Sequence, residues 1–200
     1  MKIINYKNIE WIVLKENDQV KTLITKDVLP ISIMKELTDN DSCYCKFDDE
    51  TNEYENSYIR TILNKFVDKY LDKSDLQQFS NEDYVRLLNA KEVLQYDKEL
   101  MCCNEWYWTK TKVKGTGSLV WTVNLYGSLF NFNANIGDHG VRPVICLKSK
   151  SLEEDKKMKK LDYDEIRDNL ADKIPNDFYI AEMVNKLIDK VNKLEEERND

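Results

Sequence analysis

The side chains best suited to metal binding or covalent chemistry in this 200-residue chain are five cysteines, Cys43, Cys45, Cys102, Cys103 and Cys146, and its one histidine, His139. Cys43-x-Cys45 and the adjacent Cys102-Cys103 offer four thiolates to a zinc ion. Neither pair has the gap of roughly two to four residues found in structural zinc sites, however, and Cys146 falls within a strand pattern. An odd cysteine count with no export signal argues against a disulfide framework. The cysteines therefore read as buried free thiols, with no metal and no cofactor implied. His139 sits in the apparent turn Ile136-Gly137-Asp138-His139-Gly140. Asp138, its immediate neighbour, is poorly placed to reach back and orient the ring, and no motif links the histidine to a nucleophile. It reads as a turn residue rather than a general base. The chain has no His-Glu-x-x-His motif and no glycine loop to cradle a phosphate. It is expected not to be an enzyme, with a site assembled from distant residues as the open alternative.

The elements around these residues are legible from periodicity. Between Asn104 and Lys148 the chain concentrates three of its four tryptophans and all five of its glycines. There Leu119, Trp121, Val123 and Leu125 alternate with Ser118, Thr122, Asn124 and Tyr126. After a turn at Tyr126-Gly127-Ser128, Phe130, Phe132 and Ala134 alternate with Asn131, Asn133 and Asn135. Period two over such runs predicts half-buried antiparallel strands, with Leu119/Trp121/Val123 and Phe130/Phe132/Ala134 as core faces. Another strand is predicted over 141–147, Pro143 being confined to an edge or a strand start. Earlier, 8–14 and 20–29 read as a hairpin turning at Glu16-Asn17-Asp18, with Pro30 ending the second strand and a short helix over 31–37. A short strand fits 43–47 within a polar loop. The clearest helix is 56–72, where Ile59, Ile62, Leu63, Phe66, Val67, Tyr70 and Leu71 form one stripe behind a cap at Asn56 or Ser57. A strand at 84–88 leads to Asn89, which caps a helix over 90–96.

Charge separates the chain into two parts. Residues 1–150 carry 20 basic and 22 acidic residues, and residues 151–200 carry 10 and 15, so -5 of the net -7 lies in the last fifty residues. Neither part has the basic stripe that phosphate neutralisation requires, which argues against direct nucleic-acid binding. An acidic surface suits a basic partner, including a nucleic-acid-binding protein whose channel it blocks. No apolar run approaches the roughly 18 residues of a membrane span, and the N-terminus lacks a signal-peptide pattern. The expected location is the cytoplasm of a bacterial or phage-infected cell. Residues 149–160 read as a charged linker and 161–200 as a helical appendage. In it Ile180, Val184, Leu187, Val191 and Leu194 make a short heptad seam able to dock onto the body or a partner, or to assemble the chain through residues 178–197.

Five separated segments resemble one family. Ile9-Glu10-Trp11-Ile12-Val13-Leu14 followed by Leu23 to Leu29 looks like its opening hairpin. Tyr54-Glu55-Asn56-Ser57-Tyr58-Ile59-Arg60-Thr61-Ile62-Leu63-Asn64 resembles its Trp-Glu-x-Ser-x-Ile-Arg-x-Trp-Leu-Asn helix. Asp83 to Val93 is similar to its strand and helix, Trp106-Tyr107-Trp108-Thr109-Lys110 to its Trp-Trp-Leu-Arg-Ser, and Gly140-Val141-Arg142-Pro143-Val144 to its terminal Gly-Val-Arg-Pro-Ala. The family is a bacterial and phage domain of unknown function. It is related to the C-type-lectin-like fold of formylglycine-generating enzymes and of retroelement variable proteins. Tyr54 and Ile62 depart from its tryptophans, and Thr109-Lys110 from its Leu-Arg-Ser. The resemblance covers residues 8–148 and implies an α+β, C-type-lectin-like body of antiparallel strands with two helices.

It also implies a scaffold whose relatives mostly bind other molecules. On such a fold the C-terminal sheet and loops form the recognition surface, here Trp106, Tyr107, Trp108, Asn124, Tyr126, Asn131, Asn133 and Asn135. Tyrosine and asparagine supply contact area and adaptable hydrogen bonds. The competing reading makes Trp106 and Trp108 core and the asparagines solvated strand positions. The expected function is a non-catalytic module binding a protein or another macromolecule. The alternatives are a phage-encoded inhibitor or adaptor acting through the acidic helices, and a cryptic enzyme of formylglycine-generating type. The paired-cysteine spacing of the last is absent, as are the calcium-ligating triplets of sugar-binding lectins. If the seam assembles the chain, Leu187→Asp changes its size in solution by light scattering; an unchanged size contradicts that role.

Overall fold

A computed structural model of the chain describes residues 1–38, 41–79 and 83–149, with Asn185, Lys186 and Asp189 beyond them. In chain order the described elements are β1 (Ile3–Tyr6), β2 (Ile9–Glu16), β3 (Val20–Thr25), α1 (Ile31–Thr38), β4 (Tyr44–Cys45) and a 3-10 turn (Tyr54–Asn56). Then follow α2 (Tyr58–Tyr70), β5 (Leu76–Gln77), β6 (Val85–Arg86), α3 (Ala90–Gln95), α4 (Lys98–Met101) and β7 (Tyr107–Lys112). The last are β8 (Leu119–Val123), β9 (Leu129–Asn133), β10 (His139–Gly140) and β11 (Val144–Lys148). All belong to the first of the two units into which the chain divides, Met1–Ser151 and Leu152–Asp200. This unit is α+β. One sheet runs β1-β2-β3-β11-β5, with β6 also paired to β11; the other runs β4-β10-β7-β8-β9. Every pairing is antiparallel except β10 with β7.

Local chemistry explains the ends of most elements. Tyr6 pairs with Ile9 across a two-residue turn whose Lys7 and Asn8 both have positive φ, 53° and 60°, as a primed hairpin turn requires. The sequence reading missed β1 because that turn holds no glycine. Asn17 makes the next turn, its Oδ1 accepting from the Gln19 and Val20 amides. Ser57 caps α2 by accepting from the Arg60 N–H, and Ile59, Ile62, Leu63, Phe66 and Val67 are buried along its inner stripe. Asn89 and Glu92 form a reciprocal capping box on α3. Besides the helices predicted, α1 among them, there is α4, too short to show periodicity. β3 stops at Thr25 rather than at Pro30, and β11 starts only at Val144, because the intervening backbones bond each other: Thr25 donates to Pro143 O and Leu29 to Val141 O.

The main core lies between the sheets and under α3 and α4. It comprises Ile12, Ile24, Val28, Leu88, Val93, Met101, Tyr107, Val123 and Val144. Through its edge runs a buried cation. Arg142 is 1% exposed, and its five N–H donors meet five oxygens: Thr25 O, Lys26 O, Leu100 O, Met101 O and the Tyr107 hydroxyl, at 2.8–3.3 Å. Its guanidinium also lies 5.0 Å from the Tyr107 ring centre. Burial pushes the Tyr107 phenol up to about 12, against the pull of Arg142, so Tyr107 keeps its proton and donates a hydrogen bond to Met101 O. No carboxylate is needed, since carbonyl dipoles solvate the charge. Arg142→Met leaves these oxygens buried without donors. It should cost roughly 3–5 kcal/mol, read from urea unfolding with m unchanged, and Arg142→Lys should restore only part, having three donors where the guanidinium has five. A Met variant within about 1 kcal/mol of wild type contradicts this account.

Candidate functional site

Trp106 and the strand β7 that follows it present their side chains alternately to the two faces of the second sheet. Register places Tyr107 opposite Val123 and Trp108 opposite Thr122, while β8 and β9 pair Thr122 with Phe130 and Val120 with Phe132. One face therefore holds Tyr107, Val123 and Leu129, turned to the main core. The other holds Trp106, Trp108, Thr122, Phe130 and Phe132. His139 joins this second face from β10. Its ring lies 4.6 Å from those of Trp108 and Phe132 and 5.8 Å from that of Trp106, centre to centre. Trp106 in turn packs on Phe130 and Phe132 at 5.2 and 5.5 Å. Phe47 closes the inner end of this face against Trp108, whose indole N–H donates to Cys45 O at 2.8 Å.

The residues singled out by sequence divide into three groups. Tyr107 and Trp108 are 1% and 0% exposed and Asn124 is buried; none of the three is free to touch a partner. Asn124 instead builds the β8–β9 turn, accepting from the Tyr126 and Ser128 amides, and Gly127, at φ +73°, presses that turn onto α4 where a Cβ would lie 2.6 Å from Lys98 O. Tyr126, Asn131 and Asn135 are exposed, and Trp106 and Asn133 are half-buried. Ile180, Val184, Leu187, Val191 and Leu194 lie outside the described residues. The expected strand faces are also corrected. On β8 the fully buried residues are Val120, Thr122 and Val123, with Leu119 and Trp121 half-buried; on β9 Phe130 is 46% exposed and Phe132 half-buried. β9 is the last strand of its sheet, so its phenylalanines are covered from one side only.

What the sequence reading missed is a charge-free run. No charged residue occurs from Gly115 to Gly137, in a chain that is 34% charged. Among the described residues, that run contains four of the eight exposed large apolar side chains: Leu125, Tyr126, Phe130 and Ile136. The outer part of the second sheet is thus an accessible surface of phenylalanine, tyrosine, tryptophan and asparagine. Two clefts elsewhere contrast with it. One, of about 560 Å³, lies between Glu10, Asp27, Pro30 and Glu105, and a shallower polar one lies beside Lys46, Asp48 and Asn135.

The groups first considered for chemistry are held away from it. All five cysteines are free, with Cys45 buried and only Cys102 exposed. Burial pushes the Cys45 thiol up to about 12 and raises those of Cys103 and Cys146. Among the described residues no three His, Cys, Asp or Glu side chains converge as metal ligands. No described helix is long and apolar enough to cross a membrane. His139 is a buried strand residue, not the turn residue expected, and Asp138 does reach its ring: Nδ1–H donates to Oδ1. Nε2 is enclosed with no partner. Comparison of the chain with protein-family models, curated proteins and solved structures gave no match.

Burial lowers the His139 pKa below its ordinary 6.5, and Asp138 opposes this without cancelling it. Above about pH 6.5 folded and unfolded chains both hold the ring neutral. Below it the unfolded chain takes up a proton that the folded chain refuses, so stability falls with pH until the folded value is reached. Between pH 7.5 and 5.5 the unfolding midpoint of wild type should drop further than that of His139→Phe. Parallel curves contradict the assignment.

Proposed function

We propose that residues 1–148 form a non-catalytic binding module of C-type-lectin-like type that recognises a protein through the outer part of its second sheet and the adjoining loops. The carrying observation is the uncharged, partly exposed aromatic surface around Trp106, Phe130 and Phe132. Charged residues are depleted and aromatic ones enriched at the centres of protein interfaces, and an exposed apolar patch rimmed by polar groups marks such a site. Tyr126 and Asn135, in the loops at either end of β9, supply polar groups beside the aromatic surface, while Asn131 and Asn133 belong to the opposite face of the strand. Trp106 is held by Phe130, Phe132 and His139, so it meets a partner with its rotamer already fixed and little side-chain entropy left to lose. The balance of 10 basic to 15 acidic residues in 151–200 supports a second reading, an inhibitor or adaptor that engages a basic partner through that segment.

Capture from the source-cell lysate separates the two. Tyr126→Ser combined with Phe130→Ser should lower the unfolding free energy by no more than about 2 kcal/mol, because Tyr126 is exposed and Phe130 only half-buried against Trp106, and should lose the retained protein at both low and high salt. Retention by that variant, with release on raising salt, overturns the aromatic-surface reading in favour of the acidic segment.

A further inference from the structure

We infer that the free edge of β9 is a peptide-binding site that takes an extended, uncharged segment of a partner protein as an additional strand. The inference rests on the proposed surface and names how it is used. Two hydrogen bonds fix the geometry: Asn124 N donates to Ser128 O, and Ala134 N donates to Ser118 O. Both pairs share the register that matches Val120 with Phe132. In an antiparallel ladder the two residues of such a pair turn their backbone groups toward each other, and the intervening residues turn theirs away. Ser128, Phe130, Phe132 and Ala134 therefore face β8. The N–H and C=O groups of Leu129, Asn131 and Asn133 point out from the sheet.

Of these, Asn133 O accepts from Ile136 N in the following turn; no described residue pairs with the outward groups of Leu129 or Asn131. β7 obeys the same alternation, since Gly140 N donates to Trp106 O on the side away from β8. Natural sheets protect an open edge with lysine, proline, a bulge or a covering segment. Leu129-Phe130-Asn131-Phe132-Asn133 has neither charge nor proline, and its pairing with β8 is regular throughout. An added strand would bond the outward groups and lay alternate side chains beside Phe130 and Phe132, the arrangement of β-strand addition. Charge matching selects the occupant. With no charged residue from Gly115 to Gly137, an ionised side chain laid along the aromatic face would be desolvated without a counter-ion, whereas valine, isoleucine or threonine meets no such cost.

The test uses the full chain and a capped hexapeptide of alternating valine and threonine, with a second peptide N-methylated on the bonds of one edge. Backbone pairing is largely independent of sequence, so an uncharged β-former suffices as a probe. Expected is slowed amide exchange at Leu129 and Asn131 on adding millimolar peptide, with at least tenfold weaker binding by the N-methylated form. Asn131→Pro, which removes an outward N–H and no bond to β8, should lose the effect with its unfolding midpoint little changed, and Asn131→Ala, which keeps that N–H, should retain it. Equal binding of the two peptides, or no protection at Asn131, overturns the proposal. So does protection before peptide is added: if it grows with protein concentration, a second copy occupies the edge, and if it does not, the chain's own remaining residues do. Failure here leaves the aromatic-surface reading to its own side-chain test, because N-methylation touches only main-chain bonding.

Discussion

The burial of the Arg142 guanidinium sets the geometry on which the rest of the first unit depends. An unpaired charge in the interior is tolerated only if every donor is met. Here the acceptors come from the end of β3, from α4 and from β7, segments far apart in sequence. Ordering one side chain thus fixes where three elements meet and draws the two sheets together at the start of β11. Gly140, two residues earlier, lies so close to Val28 that a Cβ would come within 2.4 Å of its Cγ1. Glycine and arginine act as one device, close approach followed by carbonyl capture.

From that device the accessible aromatic surface follows. Tyr107 is tied to Arg142 on one face of β7, which leaves Trp106 and Trp108 to the other. Trp108 is sealed by Phe47 and His139, while Trp106, one register step outward, reaches the accessible part of the sheet beside Phe130 and Phe132. Full burial and partial exposure are therefore divided between two tryptophans that stand two residues apart. A tryptophan that would be flexible at a surface is braced by rings behind it.

Much of the scaffold was legible in the sequence because it depends on local spacing. The stripe of α2, its Ser57 cap, the Asn89–Glu92 box and the hairpin at Asn17 all lie within a few residues of their partners. The strand over 84–88 was legible and is β6, but the two-residue strands β5 and β10 were not, since their pairing depends on β11, β4 and β7. The face of β8 was misassigned because a tryptophan, Trp121, outranks a threonine in hydropathy, yet Thr122 is the residue the sheet buries. Arginine reads as surface in any sequence, and only carbonyls 41 to 117 residues away make Arg142 an interior residue. The segments that carried the family resemblance include Arg60 bound to Asp83 and Arg86 bound to Glu92 as well as Gly140 and Arg142. These residues build the scaffold. The accessible site announced itself differently, by the charge missing between Gly115 and Gly137.

The central claim is that recognition belongs to this uncharged edge and face and not to the acidic residues beyond Ser151. Amide hydrogen exchange on the full chain, with and without its captured partner, tests it most directly. The account predicts that slowing on complex formation is centred on residues 125–136. Slowing confined to residues 151–200, with 125–136 unchanged, would contradict it.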